Sequence, residues 1–464
     1  MKIVVCIRQG LDGEINPFDA AAYEAALRLE DAEITLLSMG PMGAKDFLTS
    51  LTRLGAKQAI LLSDRLFAGA DTLATAYTLS LAIQKLTPDL IFCGRQTLVG
   101  DTAQTGIMLA TRLGLPVVTN VMEITSLSKE QIGCHTRTEG DASAHLPALL
   151  TLERIHALRL PRLRSKTVEC QIWNAEDLGA DPARCGLAGS PTRVISTREN
   201  EGGRRRCQWI APSELDRILK ESLSKQIERT QSEVLSTAKL SRVFTVGDAP
   251  LEFAHSVSED VTVLPFATSE ELADRIRADE PSAVLWGSDP LSKRLAAQVA
   301  ARLELGLCAD CTALETDGQE LFMIRPALSG SVIAKIRSIP RPAMATVRTT
   351  QTEGSPLVIA AGFGAKEQMP LVRALAEKYD ADLAATRKMV DHDLLPYEWQ
   401  VGLTGKTVSP AVYLAIGVSG AVHHLVGMQR AGTVIAVNPD RDAPIFDYAD
   451  YGIVATAEEL APYM

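Results

Sequence analysis

Several kinds of segment are missing from the sequence, and each absence excludes a class of protein. No run of apolar residues is long enough to span a bilayer, which excludes a membrane-embedded role. The formal net charge is −10, and the basic cluster Arg204–Arg206 is too short for a nucleic-acid footprint. The amino terminus has no basic, apolar and cleavage regions in series. We therefore expect a cytoplasmic protein with no membrane insertion and no nucleic-acid partner.

Motifs of hydrolytic and metal-dependent chemistry are also missing. The chain has no Ser-His-Asp array, no H-E-x-x-H helix and no Walker A loop. Its eight cysteines are scattered, and no second CxxC complements the pair Cys308 and Cys311. A metal or redox role for that pair is the alternative to reduced core thiols, but isolated CxxC spacing is a weak signal. We predict core thiols and no metal.

Apolar strand-like runs alternate with helix-like segments, which predicts an α/β fold. A chain of 464 residues predicts about three domains of roughly 150 residues each. The strands predicted within residues 1–125 are Lys2–Ile7, Glu33–Ser38, Gln58–Leu62, Asp89–Cys93 and Pro116–Asn120. The helices predicted between them are Asp19–Leu29, Pro41–Leu54, Thr72–Lys85 and Thr102–Leu113, the third capped by Asp71. From Ile124 to Arg154 the pattern predicts an antiparallel hairpin appendage.

The middle of the chain contains an internal repeat. The segments that begin at Leu90 and Val284 share a strand, a loop, an Ala-rich helix, a Gly-Leu turn and a second strand. Only the first copy has G-D-T-A-Q-T-G at the start of its helix, where small residues and free N–H groups favour phosphate. We predict a nucleotide site in the first copy and a structural role for the second.

The remaining segments connect the repeat to a third α/β unit. Residues 155–212 are interpreted as an arm lying on another domain, Ser213–Ile227 as an amphipathic helix and Glu228–Leu240 as a linker. The third unit has predicted strands Leu357–Ala361, Asp382–Ala385, Val412–Ile416, Thr433–Val437 and Gly452–Val454, and a predicted helix Met369–Lys378.

The stretch Gln400–His424 carries the strongest functional signal. Two Gly-rich turns flank a short apolar strand, and glycines there permit backbone N–H groups to approach phosphate or carbonyl oxygens. Thr404, Ser409 and Ser419 add hydroxyls. The strand directs its second turn to the carboxyl edge of the sheet, where open α/β sheets bind ligands. The stretch therefore predicts a site for an anionic dinucleotide.

Two further features have alternative interpretations. Arg387 follows a predicted strand, so it either lies beside an electron-rich ring or forms a surface pair with Asp391. His423 and His424 open a helix, where a nearby anion would favour them. Adjacent helical positions point about 100° apart and do not share one metal ion easily. We predict that one histidine faces a ligand.

Together these segments resemble electron transfer flavoproteins. Residues 356–464 resemble the FAD-binding domain of the alpha subunit through QVG-x-TGKTVSP, G-x-SGA-x-x-H, N-x-D and APIF-x-x-ADYGIV. Residues 1–195 resemble the beta subunit through INPFDAAAYEAALRL, FAGADTLATAY and GDTAQTG. Residues 241–348 resemble the amino-terminal domain of the alpha subunit through LCADCTALE and RPAMATVR. The resemblance implies the two subunits fused in one chain, beta first.

The resemblance also implies a fold of three doubly wound, mostly parallel-sheet domains. Two would be related adenine-nucleotide-hydrolase-like domains, and the third a Rossmann-like FAD-binding domain. The implied ranges are 1–195 for the beta-like domain with its arm, 196–240 for a helix and linker, 241–350 for the alpha amino-terminal-like domain and 351–464 for the FAD-binding domain.

Roles at the FAD site follow from the resemblance. Arg387 would lie by the flavin ring, Thr404 near its N5 edge and His424 near its C2 carbonyl. The other implied FAD-binding residues are Gly362, Thr386, Gln400, Val401, Gly402, Leu403, Gly405, Ser409, Gly417, Ser419, Gly420, Ala421, Asn438, Asp440 and Asp450. Leu403 stands where the family has Gln.

A second adenine nucleotide is implied in the beta-like part, either AMP, as in simple carriers, or a second FAD, as in bifurcating members. The implied residues are Cys6, Asn16, Met39, Asp71, Thr72, Gly100, Asp101, Thr102, Ala103, Gln104 and Thr105. Thr102 and Ala103 are small and leave room for a diphosphate, which favours FAD.

The implied function is electron transfer between a flavin dehydrogenase, of the acyl-CoA dehydrogenase type used in fatty acid oxidation, and an electron acceptor. With two FAD, the chain would also take a hydride from NADH and split the electron pair. A different class remains as the alternative, namely a non-redox regulator that binds adenine nucleotides. The segment Leu163–Gln171 lacks the basic loop by which the beta subunit usually contacts its dehydrogenase, so a different docking mode is expected.

Overall fold

The computed structural model describes residues 1–10, 13–97, 100–153, 157–199, 204–224, 238–328, 330, 332–348, 355–402 and 404–463. The chain divides into two compact units. The first comprises Met1–Thr197, Val234–Leu328 and Ala334–Val347, and the second comprises Arg198–Glu233, Ser329–Ile333 and Arg348–Met464.

A nine-stranded sheet forms the amino-terminal part of the first unit. Its strands are β1 (Lys2–Cys6), β2 (Glu33–Met39), β3 (Gln58–Leu62), β4 (Leu90–Gly94), β5 (Val117–Leu127), β6 (Gln131–Thr136), β7 (Gly140–His145), β8 (Ala148–Leu152) and β9 (Cys170–Trp173). Its helices are α1 (Pro17–Arg28), α2 (Ala44–Leu51), α3 (Thr72–Leu86), α4 (Thr105–Leu113) and α5 (Ala175–Leu178). In the sheet order β7-β6-β5-β8-β4-β1-β2-β3-β9, strand β1 pairs in parallel with β4 and β2, which makes it the switch point.

The five strands and four helices predicted for residues 1–125 are confirmed, and Asp71 caps α3 by accepting from the amides of Leu73 and Ala74. The hairpin prediction is confirmed for β6 and β7 and wrong for β8, which re-enters the sheet in parallel between β4 and β5. All five residues of β8 are buried. A strand buried on both faces lacks the alternation that would reveal it in a sequence.

The amphipathic helix is confirmed, but part of the segment predicted as an arm on another domain is a strand of the first sheet itself. Strand β9 adds the predicted arm to the sheet edge beside β3. It is followed by β10 (Thr192–Glu199), β11 (Gln208–Trp209) and α6 (Leu215–Ser224), the last within the predicted helix. The end of that predicted helix and the linker up to residue 237 lie outside the described residues.

The second copy of the repeat has the same strand plan as the first. Its strands are β12 (Val243–Val246), β13 (Val261–Leu264), β14 (Ala283–Trp286), β15 (Leu307–Cys311), β16 (Ala313–Thr316), β17 (Leu321–Ala327), β18 (Val332–Ser338) and β19 (Ala343–Val347), with helices α7 (Leu251–Val257), α8 (Ser269–Asp279) and α9 (Pro290–Leu303). The sheet order is β13-β12-β14-β19-β15, so β19 lies between β14 and β15 as β8 lies between β4 and β5. A smaller sheet has the order β10-β18-β17-β16. Helices α4 and α9 pack together, and Met108 and Val299 belong to one hydrophobic cluster.

The second unit contains a six-stranded sheet. Its later strands are β20 (Leu357–Ala361), β21 (Asp382–Ala385), β22 (Val412–Ile416), β23 (Thr433–Val437) and β24 (Tyr451–Ile453), with helices α10 (Met369–Tyr379), α11 (Arg387–Asp391), α12 (Val422–Met428) and α13 (Ala457–Leu460). The order β11-β24-β23-β22-β20-β21 places the switch point at β20, between β21 and β22. The five predicted strands are confirmed. Among the helices of the described residues, none has the length and apolar character needed to cross a membrane.

Candidate functional site

The loops after β20 and β22 approach each other closely at the switch point of the second unit. The amide of Gly362 donates to the carbonyl oxygen of Ile416, and that of Gly364 donates to the carbonyl oxygen of Gly417. A Cβ on Gly362 would lie 2.1 Å from the Gly417 oxygen. On Gly402, where φ is +137°, a Cβ would lie 2.5 Å from the oxygen of His423. Packing between loops therefore already requires these glycines, before any ligand is considered.

The segment between α11 and β22 orients the hydroxyl of Thr404. The Gln400 side-chain amide donates to Thr404 Oγ1 at 2.7 Å, and the Tyr397 hydroxyl donates to the Thr404 carbonyl oxygen at 2.8 Å. Because Thr404 Oγ1 accepts from Gln400, its own proton is directed away from Gln400. Thr404 is thus held as a hydroxyl donor.

His424 is buried and neutral in this arrangement. Its Nδ1 lies 3.1 Å from the carbonyl oxygen of Val401, and its Nε2 lies 2.9 Å from the hydroxyl of Tyr413. A carbonyl oxygen only accepts, so Nδ1 carries the proton and Nε2 accepts from Tyr413. Burial lowers the pKa of His424 to about 4. Both ring nitrogens are therefore engaged by the protein, and the ring carries no charge at neutral pH.

Arg387 begins α11, and its Nε lies 3.1 Å from Asp391 Oδ2. The surface-pair interpretation of Arg387 therefore describes a contact that is present. The two side chains are only about a quarter exposed, at 27% and 26%. On the preceding residue, the buried hydroxyl of Thr386 has no hydrogen-bond partner. This end of β21 thus offers a guanidinium and an unsatisfied hydroxyl side by side.

Asn438 ties two loops of the same edge together. Its Nδ2 donates to the Val418 carbonyl oxygen at 2.9 Å, and its Oδ1 accepts from the amide of Asp440 at 2.9 Å. Asp450 is not brought to this edge. It accepts from the amide of Val434, at the start of β23, and pairs with Arg205.

The other residues predicted for this site lie on the loops before and after β22. They are Val401, Gly405, Ser409, Gly417, Ser419, Gly420 and Ala421. Leu403 lies outside the described residues.

A second group of polar side chains meets at the switch point of the first unit. Cys6 and Cys93 lie opposite each other at the ends of β1 and β4. The Asn16 side chain donates to the backbone carbonyl oxygen of Gln96 at 2.9 Å. The side-chain Nε2 of Gln96 donates in turn to Asp101 Oδ1 at 2.7 Å. This network links the loop before α1 to the G-D-T-A-Q loop before α4.

The G-D-T-A-Q loop is strained, and unsatisfied atoms lie beside it. Asp101 and Ala103 have φ of +52° and +56°, a region that side-chain-bearing residues enter at a cost of about 1–3 kcal/mol each. Asn16 Oδ1 and Gln104 Nε2 have no hydrogen-bond partner, although these residues are only 4% and 3% exposed. An unpaired donor and an unpaired acceptor suit the edge of an adenine or flavin ring.

Family models match most of the chain. The electron transfer flavoprotein domain matches residues 3–178 and 234–383, and the electron transfer flavoprotein FAD-binding domain matches residues 352–429. The chain belongs to the electron transfer flavoprotein family. The FAD-binding match contains the whole stretch Gln400–His424 and supports FAD as a cofactor of this chain.

Curated relatives of this electron transfer flavoprotein match its amino-terminal part. Protein FixA of Azorhizobium caulinodans is 44% identical over 207 residues, 40% of this chain and 74% of FixA. The electron transfer flavoprotein subunit beta of Clostridium acetobutylicum is 41% identical over 211 residues, 42% of this chain and 80% of that subunit. Subunit CarD of the caffeyl-CoA reductase–Etf complex of Acetobacterium woodii is 42% identical over 208 residues, 42% of this chain and 79% of CarD. The chain therefore has a beta-like part ahead of an alpha-type FAD-binding domain.

Two buried residues of this electron transfer flavoprotein escaped the sequence analysis. Arg325, only 4% exposed, comes from β17 of the second copy and donates from Nη2 to the Asp101 carbonyl oxygen at 3.1 Å. Asp19 accepts from the amides of Arg8 and Gly94, and burial raises its pKa to about 7. Neither residue could be recognised from sequence spacing. Arg325 of the second copy contacts Asp101 of the first copy, and Asp19 lies on an apolar face of its helix.

Of the other residues predicted to bind the second nucleotide, some lie at this edge of the sheet, whereas others are engaged by the protein itself. Asp71 uses one oxygen to cap α3 and the other to accept from the amide and hydroxyl of Thr192. The Thr72 hydroxyl donates to Gln104 at 3.3 Å, and Met39 ends β2 at the same edge. Gly100, Thr102 and Thr105 lie on the loop and first turn of α4. Cys308 and Cys311 are buried in β15, and no group of three or more His, Cys, Asp or Glu suited to a metal occurs among the described residues.

Proposed function

We propose that this electron transfer flavoprotein takes electrons from a flavin dehydrogenase of the acyl-CoA dehydrogenase type and passes them to an acceptor through FAD held by residues 351–464. The observation that carries the proposal is the set formed by Arg387, the oriented hydroxyl of Thr404 and the orphaned hydroxyl of Thr386 at one sheet edge. CarD is named as a subunit of a complex with caffeyl-CoA reductase, an enzyme that acts on a CoA ester, and this supports a CoA-ester partner.

The side chains have separable roles in this proposal. When bound, FAD supplies the ring that accepts and releases electrons. Arg387 stabilises negative charge there, and Thr404 donates a hydrogen bond whose direction is set by Gln400. His424 contributes a neutral, fixed ring that supports the Val401 backbone.

We also propose that FAD occupies the second site, held by residues of the range 1–195 and by Arg325. Asn16 Oδ1 and Gln104 Nε2 would bind the ring or adenine edge, and the small side chains of Thr102 and Ala103 would leave room for the diphosphate. With FAD there, the chain would accept a hydride from NADH and divide the electron pair. We also propose the four domain ranges given by the resemblance, namely 1–195, 196–240, 241–350 and 351–464.

Anaerobic stopped-flow absorbance tests the transfer step. We expect the flavin absorbance band to bleach when a catalytic amount of the dehydrogenase and its acyl-CoA substrate are both present, but not with the substrate alone. NADH alone should bleach it as well if the second site holds FAD. The dehydrogenase role is contradicted if dithionite reduces the protein but the dehydrogenase with substrate does not.

A further inference from the structure

A cavity of about 270 Å³ lies within the first unit. Its walls come from α3, from α4, from the helical turn Pro182–Arg184, from the segment Ala188–Pro191 and from the end of α9. None of the residues predicted for either nucleotide lines it. It needs an explanation of its own.

The lining carries an excess of positive charge. Arg112, Arg184 and Arg193 line the cavity with one acidic side chain, Glu304, which leaves two unbalanced positive charges, three minus one. Glu304 Oε1 is shared, since it pairs with Arg184 and lies 3.4 Å from Arg112 Nη2. One carboxylate therefore serves two guanidiniums.

Those two guanidiniums are held in place over the same aromatic ring. The guanidinium carbons of Arg112 and Arg184 lie 5.3 and 4.6 Å from the centre of Tyr77, within the range of cation–π contacts. The Tyr77 hydroxyl is fixed in turn, because it accepts from the amide of Asp181 at 3.0 Å. The two cations are thus preorganised at a short separation.

Arg112 has a buried N–H group that lacks a hydrogen-bond acceptor. Its side chain is only 14% exposed, and its Nε is buried without a hydrogen-bond partner. Burial, followed by the nearby Arg184, lowers the pKa of Arg112. A buried N–H of a charged group that lacks a partner costs stability, and an anion in the cavity would offset the repulsion between Arg112 and Arg184.

The third guanidinium is fixed by the backbone. Arg193 donates to the carbonyl oxygens of Leu187, Ser190 and Thr192, the last at 3.0 Å. These carbonyls orient its positive charge without neutralising it.

We propose that this cavity binds a phosphate dianion, either free or as the terminal group of a small organic phosphate, with Arg112 and Arg184 as direct ligands. Two unbalanced positive charges match a dianion, and the forked N–H groups of arginine match phosphate oxygens. The size of the cavity restricts the rest of the ligand to a few carbon atoms.

Isothermal titration calorimetry of the holoprotein with inorganic phosphate, at constant ionic strength, tests the site. We expect one saturable site per chain. Arg184→Gln should weaken it about tenfold or more, the effect of one charge-assisted hydrogen bond. Glu304→Gln should tighten it, because a competing carboxylate is removed. Arg277→Gln, which removes an exposed arginine paired with Asp274, is the matched control and should change nothing.

Opposite effects of Arg184→Gln and Glu304→Gln cannot both arise from general loss of structure. The proposal is overturned if binding does not saturate, if both variants bind as the unaltered protein does, or if both weaken binding equally. Equal affinity for acetate would overturn the assignment to phosphate. Tighter binding of glycerol 3-phosphate than of inorganic phosphate would identify an organic phosphate, and the reverse order would identify free phosphate.

Discussion

In the proposed FAD site, the positive charge comes from Arg387 rather than from His424. The His424 ring donates to Val401 and accepts from Tyr413, and its burial opposes protonation. The positive charge of Arg387 is offset in part by Asp391, so these two side chains together set the local field. Removing either one should shift the flavin potential, in opposite directions.

Arg387→Ala should lower the midpoint potential of the FAD in the second unit, because a positive charge stabilises the reduced cofactor. The expected change is about 60 mV for each 1.4 kcal/mol lost in a one-electron step. Asp391→Asn should raise the potential. Anaerobic spectroelectrochemical titration measures both shifts.

Arg242→Ala is the matched control for Arg387, because Arg242 Nε also lies 3.1 Å from a carboxylate, that of Asp260, but in the other unit. The flavin potential of the Arg242→Ala variant should equal that of the unaltered protein. An unchanged potential in Arg387→Ala would refute the assigned role.

His424 should make the second unit less stable in acid. Its pKa is about 4 in the folded protein against 6.5 as the reference value, so between these pH values only the unfolded chain takes up the proton. Stability is therefore highest above pH 6.5 and falls as the pH drops towards 4, by roughly 3 kcal/mol in total. Urea unfolding at a series of pH values should show this slope, and His424→Gln should flatten it.

The exposed residue His255 provides the comparison, since His255→Gln should keep the slope. If His424→Gln and the unaltered protein had the same slope, the neutral buried state of His424 would be wrong.

At the scale of elements, Asp71 does more than cap α3. One carboxylate oxygen accepts from the first turn, and the other accepts from the amide and hydroxyl of Thr192. Asp289 caps α9 in the second copy and accepts from the Ser292 amide. Asp71→Ala should cost about 1 kcal/mol for the cap and at least another 1 kcal/mol for Thr192, whereas Asp289→Ala should cost about 1 kcal/mol.

Urea unfolding midpoints of the two alanine variants measure this difference. Equal losses would show that the contact between Asp71 and Thr192 contributes nothing.

The loop before α4 and the loop before α1 should act as one nucleotide-binding element. Gln104→Leu removes the unpaired Nε2 donor but keeps the approximate shape of the side chain, so it should lower the content of the second nucleotide. The FAD of the second unit should remain. Quantifying released nucleotides by chromatography tests this, with the exposed Gln319→Leu as control, and full retention of both nucleotides would contradict the placement.

The strands and helices with clear periodicity could be predicted from the sequence, whereas contacts between distant segments could not. The strands Gln58–Leu62 and Val412–Ile416 have the predicted bounds. Strand β8 was missed because burial on both faces removes alternation. Arg325 was missed because its partner Asp101 lies far away in the chain. Gln400 and Thr404 could be proposed as site residues from the sequence, but the hydrogen bond by which Gln400 orients Thr404 could be found only from the structure.

At the scale of the whole molecule, one chain carries both a beta-like part and an alpha-type FAD-binding domain. The beta-like part and the FAD-binding domain are therefore present at a fixed ratio of one to one. The number of FAD molecules bound per chain therefore distinguishes the two-flavin mechanism from a one-flavin carrier.

Counting the cofactors released from the denatured protein tests the central claim most directly. Chromatography with absorbance detection, normalised to the amount of chain, gives FAD and AMP per molecule. We expect two FAD and no AMP per chain. One FAD with one AMP would contradict the two-flavin mechanism, and a chain that releases no FAD would contradict the electron-transfer role itself.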